Sequence, residues 1–437
     1  MSILTAGIRA DSEYKQLLRT VQQNFRVNPL PILASGLCDG ASDALTVSLL
    51  EDTANARGGC GLIICPEEKD CIRICGMLER FGIRTGFYMV RDLTFYNMVA
   101  SHEYEHERLK VLSGLLGGDY DVIVTTPDAT LGYTVPPQVL RNSTISVHAD
   151  DEIIPRTLAQ KLASAGYVRV DLADSPGQFA VRGGIIDIFP PYGTFLDCDG
   201  GIKSGSFAFR IELFGDEIDR MGLFDPETQR MTQSIHSAEF PPARELLCDG
   251  QALERLKKAI STQFKVTKNE PALEELIRER AAVDAAISDG TEIKFLDKYV
   301  TLIYEEKASL LDYFNEKSLV LLRGTNAIEE RLRASEWHAN QTVTELLEGE
   351  TISAKYAEYS KPASAFHLFC DKCVTVHADS IAYKVSDKRL SGLFGFRTRH
   401  TVSYADNDTL FAEDLQNYVK GGYRCLNLPR TTRLQKC

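Results

Sequence analysis

The chain has 437 residues, 44% of them hydrophobic and 25% charged, enough core material for two to four domains at roughly 100–200 residues each. Its net charge of −12 excludes a free-standing nucleic-acid binder of the usual basic kind, because phosphate neutralisation supplies most of that affinity, so DNA is not expected to be its main partner. No run of about 18 apolar residues occurs, and Arg9, Asp11, Glu13 and Lys15 interrupt the N-terminal stretch where a signal peptide would be apolar, so no membrane association and a cytoplasmic location are expected.

Pro31 to Ser35 reads as a buried strand, and Ala41 to Asn55 as a helix with Ala41, Ala44, Leu45 and Leu49 on its apolar face. Leu62 to Cys65 is the next strand, and Ile72 to Phe81 the next helix, closed by Gly82. Glu107 to Leu116 is helical and Asp121 to Thr125 is a strand. Strands alternating with helices of this size predict a parallel α/β sheet. From about Asp150 to Ser234 one helix, Pro155 to Ala165, precedes strand patterns punctuated by Gly, Pro and Asp, which predicts a small inserted α+β domain. Helical patterns return at Gln251–Thr262 and Leu273–Ile287. After Leu319 to Leu322 a further α/β segment begins, with a long helix from Ala327 to Glu348. The expected division is 1–149 and 236–315 as two parts of one α/β domain, 150–235 inserted, and 316–437 as a third domain cut short at Cys437.

A strand, a glycine turn and a helix near the N-terminus is where a nucleotide-hydrolysing protein keeps its phosphate loop. Here the turn reads Gly36-Leu-Cys-Asp39-Gly40-Ala-Ser42-Asp43. A working loop needs Lys for charge and a following Ser or Thr for magnesium. Ala41 and Ser42 stand there instead, and Asp39 and Asp43 add negative charge, so Gly36, Gly40 and Ser42 are a degenerate remnant and no cofactor is expected.

In a strand from Phe207 to Phe214 side chains alternate between faces. Phe207, Phe209, Ile211 and Leu213 then face a core shared with Ile186 and Ile188, while Ala208, Arg210, Glu212 and Phe214 share the other face. An aromatic beside Arg and Glu on an outward face has the composition of an interface hot spot. The pattern alone equally allows a solvated face with one tolerated Phe, or a Phe214 covered by the domain's own helix.

Two further patterns compete. His102-Glu103-Tyr-Glu105-His106 fits the zinc-hydrolase spacing, but no third ligand follows and the flanks are polar, so it reads as a solvated helix start. Cys370-Asp-Lys-Cys373 is a lone pair, with Cys425 and Cys437 too far apart to complete a zinc site, and the eleven cysteines read as reduced and mostly buried. Trp337, beside His338 on the long helix, is expected to pack against the third domain.

Three collinear blocks carry a family resemblance: Ser175-Pro-Gly-Gln-Phe179-Ala-Val-Arg182-Gly-Gly-Ile-Ile-Asp187-Ile-Phe189, Arg210-Ile-Glu212-Leu-Phe214-Gly-Asp216-Glu217-Ile-Asp219, and Phe224-Asp-Pro-Glu-Thr-Gln-Arg230. Together they resemble the UvrB-homology module of bacterial transcription-repair coupling factors (Mfd), and more distantly UvrB. Asp121 to Pro127, Phe240 to Glu245 and Ser309 to Phe314 are weaker matches in the same order. The resemblance implies a degenerate helicase-like α/β domain with an inserted UvrA-interaction domain. It implies UvrA contacts at Arg182, Arg210 and Phe214, with Glu212 matching an acidic residue of the UvrA-binding surface of UvrB. Gly183-Gly184 beside Arg182 would allow a bulge or a close backbone approach. The implied role is recruitment of UvrA to RNA polymerase stalled at DNA lesions. Polymerase binding, DNA translocation, ATP and magnesium belong to a downstream region of the family that does not occur before Cys437. The alternatives are a UvrB-like ATP-dependent DNA repair enzyme, against which the Gly36 to Asp43 turn argues, and a zinc hydrolase built on His102 and His106.

Overall fold

The structure, a computed structural model, describes residues 3–27, 29–91, 102–289, 291–381, 389–399, 404, 407–423 and 425. Two N-terminal helices, α1 (Ile3–Ala10) and α2 (Ser12–Asn24), are separated by Asp11, whose carboxylate accepts from the Glu13 amide at 2.8 Å and so caps α2. The expected alternation follows: β1 (Ile32–Ser35), α3 (Asp39–Asp52), β2 (Gly61–Ile64), α4 (Glu68–Arg80), β3 (Thr85–Tyr88), α5 (Glu103–Gly117), β4 (Val122–Thr125) and α6 (Pro137–Ser143). The chain then passes through β5 (Ile145–His148) and α7 (Pro155–Ser164) into a run of strands: β6 (Val168–Arg169), β7 (Gln178–Arg182), β8 (Ile185–Phe189), β9 (Gly193–Asp197), β10 (Ile202–Gly205), β11 (Ala208–Phe214), β12 (Glu217–Phe224) and β13 (Met231–Phe240). Helices α8 (Gly250–Phe264), α9 (Glu270–Asp289) and α10 (Val300–Ile303) come next. The remainder is β14 (Leu319–Arg323), α11 (Thr325–Glu348), α12 (Ala363–Lys372), β15 (Val374–Ala378), β16 (Gly392–Gly395) and α13 (Asp408–Lys420).

Seven strands make one parallel sheet in the order β16-β1-β15-β14-β2-β4-β3. Every residue of β1, β2, β4, β14 and β15 is buried, as a parallel sheet with helices on both faces requires. This corrects the expected division at residue 316. Strands β14 and β15 lie in the middle of the first sheet, between β1 and β2, and β16 forms its edge. An apolar run such as Leu319 to Arg323 announces a buried strand, but local pattern does not say which sheet it joins.

The inserted domain is a second sheet in the order β10-β9-β13-β12-β11-β8-β7-β6, with β5 pairing β13. Its strands begin at Ile145 and end at Phe240, beyond the expected limits of 150 and 235, because the incoming β5 and outgoing β13 pair antiparallel and close the insertion. The core face is the expected one. Phe209, Ile211, Ile186 and Ile188 are fully buried, with Phe207 and Leu213 half-buried against them. Phe209 meets Phe240 at 5.0 Å and Phe195 at 6.1 Å between ring centroids, both edge-on. Trp337 is 62% exposed on α11 and touches the ring of His338, so the packing expected for it does not occur among the described residues.

Phe209→Ala removes the ring that joins Phe195 to Phe240. It is expected to cost about 3–5 kcal/mol, seen as a lower urea midpoint for unfolding of the inserted domain.

Candidate protein-docking site

Two hairpin tips lie side by side at one end of the inserted sheet. Strands β7 and β8 join through Gly183-Gly184, with Gly183 at φ 60°. Strands β11 and β12 join through Gly215-Asp216, with Gly215 at φ 68°, the left-handed first position that a two-residue type II′ loop needs. The Gly184 carbonyl accepts from the Leu213 amide at 2.7 Å, and a Cβ on Gly184 would sit 2.8 Å from the Leu213 oxygen. The glycine pair therefore serves a close backbone approach. The irregularity in this hairpin is on β12, where Asp219 is the extra residue between the pairs Glu212–Arg220 and Leu213–Ile218.

Because the extra residue is on β12, alternation along β11 is undisturbed, and Arg210, Glu212 and Phe214 share a face as expected. Their environments differ. Phe214 is 82% exposed, Glu212 is half-buried opposite Arg220, and Arg210 is buried. Arg210 lies across the sheet from Asp187, which has no exposed surface. Its Nε donates to Asp187 Oδ1 at 2.6 Å and its Nη2 to Oδ2 at 2.9 Å, and its guanidinium stacks 4.8 Å above the Phe224 ring. Arg182, at the end of β7, donates to the same Asp187 carboxylate. The resemblance implies partner contacts at Arg182, Arg210 and Phe214 alike; the buried cross-strand carboxylate of Asp187 pulls Arg210 inward. Sequence reading passed over Asp187 and Gln229. The signal for Asp187 was an acidic residue in an apolar strand, Ile185 to Phe189. Gln229 gave none.

A second polar cluster seats this domain on the first. Arg108 of α5 is buried and donates to Glu245 through Nε at 3.0 Å and Nη2 at 2.7 Å, and to the Met89 carbonyl at 2.5 Å. Arg91 Nη1 lies 3.2 Å from the same Glu245, off hydrogen-bonding angle, while its Nη2 binds Asp297 at 2.6 Å. Burial would raise the Glu245 carboxyl, but Arg108 and Arg91 hold it below the usual range. Glu105 is likewise opposed by burial, yet His102, Arg91, Arg244 and the Glu245 amide bring it to about 2. The start of α5 is therefore tied into the fold, which corrects the solvated helix start. His102 pairs with Glu105 and Arg244, and His106 packs on Gly177 at the start of β7. The two imidazole rings are 6.3 Å apart, and among the described residues no group of three ligating side chains could hold a metal. Cys373 is buried with its Sγ 3.7 Å from the Asn315 carbonyl. Cys425 is exposed, and Cys437 lies outside the described residues.

The phosphate-loop position is filled by the chain itself. Gly36 has φ 77°, and a Cβ there would lie 2.0 Å from the Phe396 carbonyl oxygen. The Cys38 amide, which would face a phosphate, donates to Thr398 Oγ1 at 2.7 Å, and that hydroxyl donates to the Gly36 carbonyl at 2.7 Å. Ser42 is buried. Asp43 is paired with Arg73 and Arg323, each at 2.7 Å, so its charge is spent within the fold.

The inserted domain with its exposed hairpin face matches the family model described as the UvrB interaction domain over residues 145–246. Beyond that domain, the chain is similar to transcription-repair-coupling factors. It is 27% identical over 354 residues to the one from Bacillus subtilis (strain 168), covering 80% of this chain and 28% of that protein. It is 21% identical over 446 aligned positions to those from Staphylococcus aureus strains MRSA252 and Mu50, covering 99% of this chain and 35% of each. The chain thus spans about a third or less of these relatives. The family resemblance read from the three motif blocks is borne out.

Burial pushes His106 and His377 down to about 4 from the ordinary 6.5. Both are neutral in the folded chain at pH 7, and the unfolded chain binds their protons first. Their contribution is complete above about pH 6.5 and falls as pH drops toward 4. Glu105 and Glu245, held low, lose theirs only below the ordinary carboxylate range. The urea midpoint is therefore expected to fall between pH 7 and pH 4.5, and His106→Gln to flatten that slope.

Proposed function

We propose that this chain is a docking module of transcription-coupled nucleotide excision repair, binding UvrA through the hairpin face of residues 182–184 and 212–219. The observation that carries the reading is Phe214, a large ring 82% exposed at the tip of a hairpin inside the matched UvrB interaction domain. A ring held out by a tight glycine loop, with no cover from the chain's own helix, is the anchor of an interface rather than a core residue. Arg182 and Glu212 flank it with charges of both signs, which set orientation and partner choice.

In the whole relatives, this module would bring UvrA to RNA polymerase stalled at a DNA lesion in the cytoplasm. ATP-driven release of polymerase and DNA translocation would belong to other parts of those longer proteins. This chain binds neither ATP nor magnesium on this reading, because Thr398 and Phe396 occupy the place a phosphate would take and no Lys follows Gly40. That argument also sets aside the UvrB-like ATP-dependent enzyme. A zinc hydrolase at His102 and His106 is set aside by the engagement of His102 with Glu105 and Arg244.

Truncating an anchor of this kind costs about 2 kcal/mol, or roughly thirtyfold in affinity. Phe214→Ala is expected to weaken binding of purified UvrA by about that factor with no change in melting temperature. Unchanged binding of the folded variant would refute the reading. A nucleotide titration of the wild-type chain is expected to show no saturable micromolar binding.

A further inference from the structure

Resting on the docking reading above, we propose that Asp187 is a positioning residue of the face. On this proposal Arg182, and not Arg210, makes the bond to the partner by donating to one of its carboxylates. A guanidinium has five N–H donors. Arg210 uses four: Nε and Nη2 to Asp187, Nη1 to the Gln229 carbonyl at 2.8 Å, and Nη2 to Gln229 Oε1 at 3.2 Å. It is buried and stacked on Phe224, so a single Nη1 hydrogen and little exposed surface are left for a partner.

Arg182 is different. Only its Nη2 is engaged, to Asp187 Oδ2 and, at 3.4 Å, to Gln229 Oε1. Its Nε and Nη1 hydrogens make no hydrogen bond with the described residues, and its side chain is 41% exposed. One edge of the guanidinium is thus fixed to the sheet and the other faces outward, which removes most of the entropy a free Arg side chain would lose on binding.

The charge count points to the same ligand. Two guanidiniums share one carboxylate, leaving one positive charge. It sits in a domain of residues 145–246 with 16 acidic and nine basic residues. A partner carboxylate fits that single charge and the planar fork beside it.

The backbone is strained to build the arrangement. Gln229 is one of two non-glycine residues with positive φ among the described residues, at 58°. Asp225 holds the turn, accepting from the amides of Glu227 at 2.8 Å and Thr228 at 3.1 Å on its side chain and from Gln229 at 2.7 Å on its carbonyl. That turn places both oxygens of Gln229 against the arginines.

The test is a double-mutant cycle with the full chain and purified UvrA, with melting temperatures recorded in parallel. Arg182→Ala and Asp187→Asn are each expected to weaken binding about tenfold. In the Arg182→Ala background Asp187→Asn is expected to add nothing, because Asp187 acts through Arg182. Additive effects would overturn the positioning role, since a merely structural loss does not depend on Arg182. If Asp187→Asn does not fold, Gln229→Gly takes its place in the cycle. It keeps the left-handed backbone while removing the side-chain acceptor, and the same two outcomes decide. Phe214→Ala is measured alongside. Full affinity there retires the docking reading itself, whereas loss there with additive Arg182 and Asp187 effects overturns the positioning role alone.

Discussion

The buried pair Arg108–Glu245 is the constraint on which the arrangement of the two sheets rests. Arg108 belongs to α5, which lies beside the parallel sheet, and Glu245 follows the last strand of the inserted one. Taking both ions out of water costs several kcal/mol each, and their attraction roughly offsets that, so the pair contributes little net stability. What it does is make other placements expensive. If the inserted domain shifted on α5, two charges would be buried without partners. Arg91, Glu105 and Asp297 extend the constraint to the segment before α5 and to the helices after the insertion. Tyr192 and Ser204 reach Asp119 beyond the other end of the same helix, at 2.7 and 3.3 Å. The insertion is therefore held along the length of α5, with its hairpin tips left exposed.

The same physics recurs at smaller scale around Asp187. A buried carboxylate must be satisfied, and the two nearest cations are the arginines of the face. Satisfying it decides which arginine sinks and which remains half exposed. On the proposed docking reading, stability and recognition are thus set by one group. At the end of the chain's first strand, the turn Gly36 to Ser42 is closed by Phe396 and Thr398 from the sheet edge.

Much of this was legible in the sequence. In the first 125 residues β1, β2, β4 and helices α3 to α5 follow from apolar runs and glycine stops, whereas α1, α2 and β3 were not read, and the buried face of β11 follows from alternation through Phe209 and Ile211. The exposed Phe214 was one of the alternatives that alternation left open, and the resemblance favoured it. What was not legible depends on long-range pairing. Nothing local in Leu319 to Arg323 says that it will lie between β2 and β15. The burial of Arg210 depends on Asp187, 23 residues earlier. The polar start of α5 reads as solvated until Arg244 and Glu245, more than 130 residues later, are folded against it. The motif Phe240 to Glu245 did mark the place, without revealing that Glu245 is a charge buried for structural reasons and Arg244 a half-buried one beside it.

The account's central claim is that the inserted domain meets its partner through its two hairpin tips. Hydrogen–deuterium exchange of the chain, alone and saturated with purified UvrA, tests this most directly. Slowed exchange is predicted at residues 182–184 and 212–219, with the amides of α5 and the parallel sheet unchanged. The molecule also has an open cleft of about 550 Å³ between α6 and α12, lined by Arg141, Phe314, Phe369 and Lys372. Protection there, with the two hairpins exchanging as in the free chain, would contradict the account.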